Sequence, residues 1–273
     1  MKIFYSALFI SLIASSNVSF AGTPDALKNE NDGTGYVGAT VFANSEYLGS
    51  ANEDIRVLPY LSFQNIKGFD LIGASLNYRL IEAGTGQGLG KWSLRAGPNV
   101  TFHGKRDSSD SPNLNGFEDV DFSVPVGGYI RSTFGPIGLQ LQAGQDIAGG
   151  HKGLTADASI GTFYRNGNFA IQPFIAASWS NNKHQDAFFS VTQEQSNTSG
   201  LDVFNADSGL YAYSANLLSW VEINDKYAVS FFASYRWYAG DAKDSPILQA
   251  SDGSRNGILA AFSLSRKFDT KKW

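Results

Sequence analysis

The chain has 273 residues, with 21 basic and 25 acidic side chains and a formal net charge of −4. That balance leaves no basic stripe for a nucleic-acid partner. The lack of cysteine excludes a disulfide framework, a thiol nucleophile and thiolate metal sites.

Met1 and Lys2 open the chain, residues 3–14 are almost wholly apolar, and Ser19-Phe20-Ala21 places small residues at −3 and −1 of a cleavage site. These features predict a secretory signal peptide over 1–21, because the apolar run is too short for a membrane helix and ends at a cleavage motif. Beyond it no stretch approaches the ~18 consecutive apolar residues of a spanning helix. A mature chain of this kind crosses a membrane only as a closed barrel, where no backbone group is left unpaired. Turn signals recur evenly with no linker, so residues 22–273 read as one barrel domain.

The predicted strands alternate apolar and polar side chains, the period of a sheet with two unlike faces. A glycine-rich strand lies near 34–43. In the next, Ile55, Val57, Leu61 and Phe63 oppose Arg56, Tyr60, Ser62 and Gln64. Ile72, Ala74, Leu76 and Tyr78 then oppose Ser75, Asn77 and Arg79. Leu94, Ala96, Pro98 and Val100 share a face between Trp92 and Phe102, and a polar loop over 104–118 follows. Val120, Phe122, Val124, Val126 and Ile130 face away from Asp119, Asp121, Ser123 and Arg131. Phe134-Gly135-Pro136 turns the chain into Ile137, Leu139, Leu141 and Ala143, which alternate with glutamines and glycines. A short loop over 148–153 leads to Leu154, Ala156, Ala158 and Ile160, opposed by Thr155, Asp157 and Ser159. Arg165-Asn166-Gly167-Asn168 precedes a strand from Phe169 to Trp179, and a loop over 181–207 precedes a blurred strand over 208–222. After the turn Ile223-Asn224-Asp225-Lys226, a strand runs from Tyr227 to Trp237. A loop over 239–254 and a strand through Ile258, Ala260, Phe262 and Leu264 complete the pattern.

Trp92 and Phe102, Phe169 and Trp179, and Tyr227 and Trp237 each stand ten residues apart on the apolar face. Ten tilted steps span roughly 23–25 Å along the membrane normal, close to the apolar band of an outer-membrane barrel with an aromatic girdle at each rim. The fold expected is therefore an all-β, transmembrane, antiparallel up-and-down barrel covered by outer-membrane lipid, with short periplasmic turns and long outer loops. Eleven strands can be read, but both termini should be periplasmic, which requires an even number. Twelve is the estimate, with the missing strand in 22–54 or in a misread hairpin around 64–91. Pro98, Pro125 and Pro173 fall inside predicted strands, where a missing N–H breaks a ladder bond.

By parity Arg56, Arg79, Arg95, Asp121, Arg131, Asp157 and Arg236 point into the lumen, with Asp119 and Asp146 near its rims. Mixed signs in a narrow barrel are expected to pair and brace the wall; an ion or solute path is the alternative. His103, His151 and His184 lack metal-ligand spacing, and no Gly-x-Ser-x-Gly accompanies them. Ser108, Ser109 and Ser111 near His103 keep a serine–histidine lipid hydrolase as a third reading. Asp119 and Asp121 could suit acid–base work, although Arg131 on their face favours an ion cluster. Phe188, Phe189 and Phe204 could anchor a partner outside.

Several stretches resemble the MipA/OmpV family of outer-membrane proteins, named for an MltA-interacting member. They are Glu46-Tyr47-Leu48-Gly49-Ser50 with Arg56-Val57-Leu58-Pro59, Gly116-Phe117-Glu118-Asp119-Val120-Asp121, and Gln145-Asp146 with Gly149-Gly150-His151-Lys152-Gly153. Asp244-Ser245-Pro246-Ile247, Gly253-Ser254-Arg255-Asn256 and Arg266-Lys267-Phe268 extend the likeness to the end of the chain. This chain departs by continuing from Asp269 to Trp273, which leaves Phe268 and Trp273 as alternative terminal aromatics. The resemblance implies a non-enzymatic barrel without a cofactor, whose loop residues Asp146, Gly150, His151 and Gly153 belong to the family's motif. It also implies protein partners, a lytic transglycosylase and a peptidoglycan synthase, or a role in adhesion at the cell surface. The function expected is action through protein contacts, with a small outer-membrane channel second and a lipid-modifying enzyme third.

Overall fold

In a computed structural model, residues 34–86 and 90–270 are described. The predicted signal peptide and Trp273 lie outside them. Fourteen antiparallel strand segments follow one another around a closed sheet. They are β1 (Thr34–Ser45), β2 (Glu53–Ile66), β3 (Phe69–Ile72), β4 (Ser75–Tyr78), β5 (Ile81–Gly84), β6 (Trp92–Thr101) and β7 (Pro125–Phe134). The second half comprises β8 (Ile137–Asp146), β9 (Leu154–Thr162), β10 (Tyr164–Asn166), β11 (Phe169–Ser180), β12 (Gly209–Glu222), β13 (Tyr227–Tyr238) and β14 (Asn256–Asp269). β1 pairs with β14, which closes the barrel. β4 and β5 both pair with β6, and β9 and β10 both pair with β11, so each couple is one broken strand. Among the described residues the wall therefore has twelve strands.

The missing strand is β3, in the hairpin around 64–91. Reading 72–79 as one strand is corrected: Gly73 has φ +56°, the left-handed region glycine favours, and the chain reverses there. Ile72 and Ser75 become cross-strand partners rather than alternate residues of one strand. The strand expected through Val120 begins instead at Pro125; Val120 turns inward among the outer loops and is buried.

Each proline lies where the neighbouring strand is interrupted. Pro98 lies opposite the shift in register between β4 and β5, and Pro173 lies opposite the break between β9 and β10. Pro125 is the first residue of its strand. A missing N–H is tolerated where the ladder already stops.

The two faces are inverted relative to a soluble sheet. Val41, Leu141, Ile175, Phe231, Phe262 and Leu264 are exposed on the outside, whereas Thr40, Gln140, Gln172, Ser230, Ser263 and Ser265 are buried inside. An apolar surface that encircles a closed sheet far exceeds the patch a soluble monomer exposes, so hydrocarbon is its solvent. Trp92 pairs with Phe134 at the rim nearest the termini, and Tyr213 with Trp237 at the outer rim. Phe169 and Tyr227 are exposed at the inner rim. Trp179 is half-buried beside Leu210, and Phe102 stacks on Phe122 at 5.9 Å.

Candidate functional site: the outer lid and the polar lumen

The outer loops fold over one another rather than standing in solvent. The loop after β11 forms α1 (Asn182–Phe189) and α2 (Gln193–Ser199), and the last loop forms α3 (Pro246–Gln249). Asn181, Thr192 and Ser245 each accept a backbone N–H at a helix start, which satisfies amides the helix leaves free. Tyr47, Leu114, Phe117, Phe188, Phe189, Val191, Tyr211, Ile247 and Leu248 then share one apolar core, drawn from four loops and the adjoining strand ends. Phe188 and Phe189 are buried here and Phe204 packs against them, which corrects the expectation that these rings point outward to a partner. Polar ties cross the same lid. Ser111 and Asn113 donate to Asp252, Ser245 donates to the Phe189 carbonyl at 2.6 Å, and Ser50 bridges to Gly253.

The three histidines, 48 and 33 residues apart in sequence, meet beneath this core. His151 Nε2 lies 3.3 Å from His103 Nδ1, and its ring meets His184 edge-on at 4.8 Å between centroids. The Gly153 amide donates to His151 Nδ1 at 3.0 Å. An accepting Nδ1 puts the His151 proton on Nε2, which therefore donates to His103. This tautomer leaves His151 no lone pair for a metal, and among the described residues no three His, Asp or Glu side chains are disposed to hold one. His184 packs against Phe188, Phe189 and Tyr211. Burial pushes His103 down to about 3 and His151 down to about 4, and it holds His184 well below the usual range.

The loop over 147–153 is shaped to deliver His151. Asp146 accepts from the amides of Val124, Ala148 and Lys152 at 2.9, 3.0 and 2.8 Å, which folds the loop back on the end of β8. A Cβ at Gly153 would stand 2.6 Å from the His184 amide nitrogen, and one at Gly150 would strike the Asp121 carbonyl and the Ser123 hydroxyl. Both positions need glycine for close approach.

The lumen carries a polar belt. Arg79 grips Asp70 through two bonds of 2.8 and 2.7 Å and lies 3.6 Å from Glu82, which accepts from Arg95 at 2.8 Å. Arg95 stands opposite Arg131, which donates to Gln140 at 3.1 Å. Gln140 donates to Gln142, Gln142 to Asp157, and Ser178 also donates to Asp157 at 2.6 Å. Arg236 is buried in the lumen wall on β13. Arg56 keeps the inward face of β2, opposite Phe42, but is 55% exposed beside Asp54, whereas Asp121, placed in the lumen by parity, is exposed on the outer loop. The reason is local, since Arg56 stands near the outer end of β2 and the strand that would carry Asp121 starts four residues later. Asp70 and Glu82 escaped the sequence reading because β3 and the β4–β5 break were not resolved in it. Asp119 is exposed and accepts from the Ser108 amide.

Among solved structures, a high-pH Pseudomonas putida OprB is 10% identical over 71% of this chain and 47% of its own length, with a TM-score of 0.35. This chain thus spans about half the length of that protein. The CymD monoaromatic hydrocarbon channel is 9% identical over 96% of this chain and 99% of its own, with a TM-score of 0.38. An anion-selective porin from Comamonas acidovorans is 8% identical, covers 86% and 98%, and has a TM-score of 0.29. No curated protein matches. The family model described as MltA-interacting protein MipA matches residues 37–268. The stretches that carry the sequence resemblance lie largely on the lid, from Tyr47 to Gly253, and on the strands beneath it. The chain is a member of the MltA-interacting protein MipA family, built as an outer-membrane β-barrel.

Proposed function

We propose that this protein acts through contacts with other proteins, as a closed outer-membrane anchor and not as a catalyst or an open pore. One observation carries the reading: the lumen wall is tiled by side chains that bond to one another, under a lid with its own apolar core. Breaking the Asp70–Arg79 pair to open a path would leave a charge unpaired at membrane depth, which is costly. The family description, MltA-interacting protein, supports action through a protein partner, and the scaffold reading takes that partner to be a lytic transglycosylase that the barrel brings to a peptidoglycan synthase. A non-catalytic role is supported by His151, whose two ring nitrogens are engaged by His103 and the Gly153 amide, and by Ser111, whose hydroxyl is committed to Asp252.

Two measurements test this. The purified barrel should retain a lytic transglycosylase at micromolar concentration, and a failure to do so counts against the scaffold. In planar bilayers it should give no steady steps. A second reading, a small channel, draws on the guanidinium groups of Arg79, Arg95 and Arg131 in one belt. It requires open steps that favour anions, and those steps would sink the closed-anchor reading.

A further inference from the structure

Among the described residues, the outer half of β2 is a stretch at membrane depth where the ladder is unfinished. The Lys267 amide donates to the Lys226 carbonyl, so odd residues of β14 face β13 and even ones face β1. Carried through the registers, even residues of β2 bond to β1 and odd residues face the β3 side. β3 meets β2 only at Phe63 and Ile66. Among the described residues, no backbone hydrogen bond joins Ile55, Val57, Pro59 or Leu61 to anything on that side. The edge is about 23 Å long for seven residues at ~3.3 Å each.

Its depth follows from its partners. Val57 pairs with Val41, and Val41 with Phe262, both on the lipid-facing belt. Ile55 and Val57 are 70% and 71% exposed against 49% for Val41, because the neighbouring strand is missing. Hydrocarbon cannot pair with backbone groups. Lumen water is no substitute, because Phe42, Leu58, Leu259, Ala261 and Phe232 form an apolar cluster directly behind the edge. Pro59 removes one N–H from this row, as prolines do on strands with a free side. A second copy of the chain does not fit. Two barrels in one membrane present β2 strands that both descend, with opposed tilts of about 35–45°, so they cross at ~70–90° and form no ladder.

We propose that the outer half of β2 is a docking edge for an extended segment of a different protein, which joins the wall as an added strand. This deepens the protein-contact reading and rests on it. The segment needs about seven residues, with apolar side chains toward lipid beside Ile55 and Val57 and small or apolar ones over Leu58.

The test is photo-crosslinking of the full chain in its own envelope, with p-benzoylphenylalanine in place of Val57 or, at the same depth in the sealed wall, Val41. The expected result is one polypeptide adduct at Val57, none at Val41, and a cross-linked partner peptide that alternates apolar residues. Val57→Pro removes an edge donor without touching the β1 ladder, as Pro59 already does. With the probe moved to Ile55, that variant should lower adduct yield at least tenfold while the barrel still shows heat-modifiable migration. Lipid adducts alone, equal adducts at both positions, an adduct of twice the chain mass, or no adduct would each overturn the proposal. The closed-anchor reading fails separately, through conductance.

Discussion

Burial holds three imidazoles from separate loops neutral, and acid is the reagent that should part them. Each folded ring binds its proton less tightly than the unfolded chain does. Their contribution to the lid is therefore complete above about pH 6.5 and is lost as pH falls toward about 4 at His151 and about 3 at His103. The cost is about 1.4 kcal/mol per ring for each pH unit crossed. Asp146 softens it by favouring the proton, while Arg236 adds to it. Limited proteolysis of the loops over 103–124 and 181–208 should accelerate severalfold between pH 7 and pH 4, with the strands intact; a flat profile would contradict this. Gly153→Ala should loosen the same junction at neutral pH, because a methyl group cannot fit 2.6 Å from the His184 amide. In the lumen, Asp70→Ala strands the buried Arg79 guanidinium and should cost about 3–5 kcal/mol in urea unfolding. Arg79 was legible in the sequence as an inward charge. Its partner was not, because Asp70 sits on a four-residue strand too short to show a period.

Prolines decide where strands break. Pro173 faces β9 and β10 with no N–H to give, and the ladder parts at Thr162 and Phe163, which stand opposite Pro173 and Gln172. Pro173→Ala should change the free energy of urea unfolding by less than about 1 kcal/mol, since a regained bond of about 1 kcal/mol is offset by a freer unfolded chain. Ile175→Pro, two residues on and paired with Ile160, removes a made bond at membrane depth and should cost several times more. The alternation that located β6, β8, β11 and β13 was plain because lipid and lumen impose opposite polarities on successive residues. Residues 72–79 misled because the two-residue hairpin flips the phase, yet Ile72, which shares the inward face with Ser75, is apolar, so the apolar pattern ran on unbroken across the reversal.

As a whole the molecule is a barrel with a second, smaller core on top. Deleting residues 183–206 removes α1, α2 and the Phe188–Phe189 contacts, and should leave twelve strands and their heat-modifiable migration intact. In planar bilayers the deletion should raise conductance only if the lid alone closes the passage; continued silence would assign closure to the Arg–Asp–Gln belt. Both outcomes keep the closed-anchor reading, whereas open steps in the intact chain refute it.

The amino-acid order alone determined the solvent of each face, because a period of two with aromatics ten residues apart reports hydrocarbon on one side wherever the strands pair. It also set the approximate height of the wall and the identity of most inward charges. Tertiary structure alone decided that His103, His151 and His184 meet, that the loop phenylalanines turn inward, and that β2 is left with an unfinished edge. Those facts depend on contacts between residues tens of positions apart, and periodicity is a local property that carries no record of them.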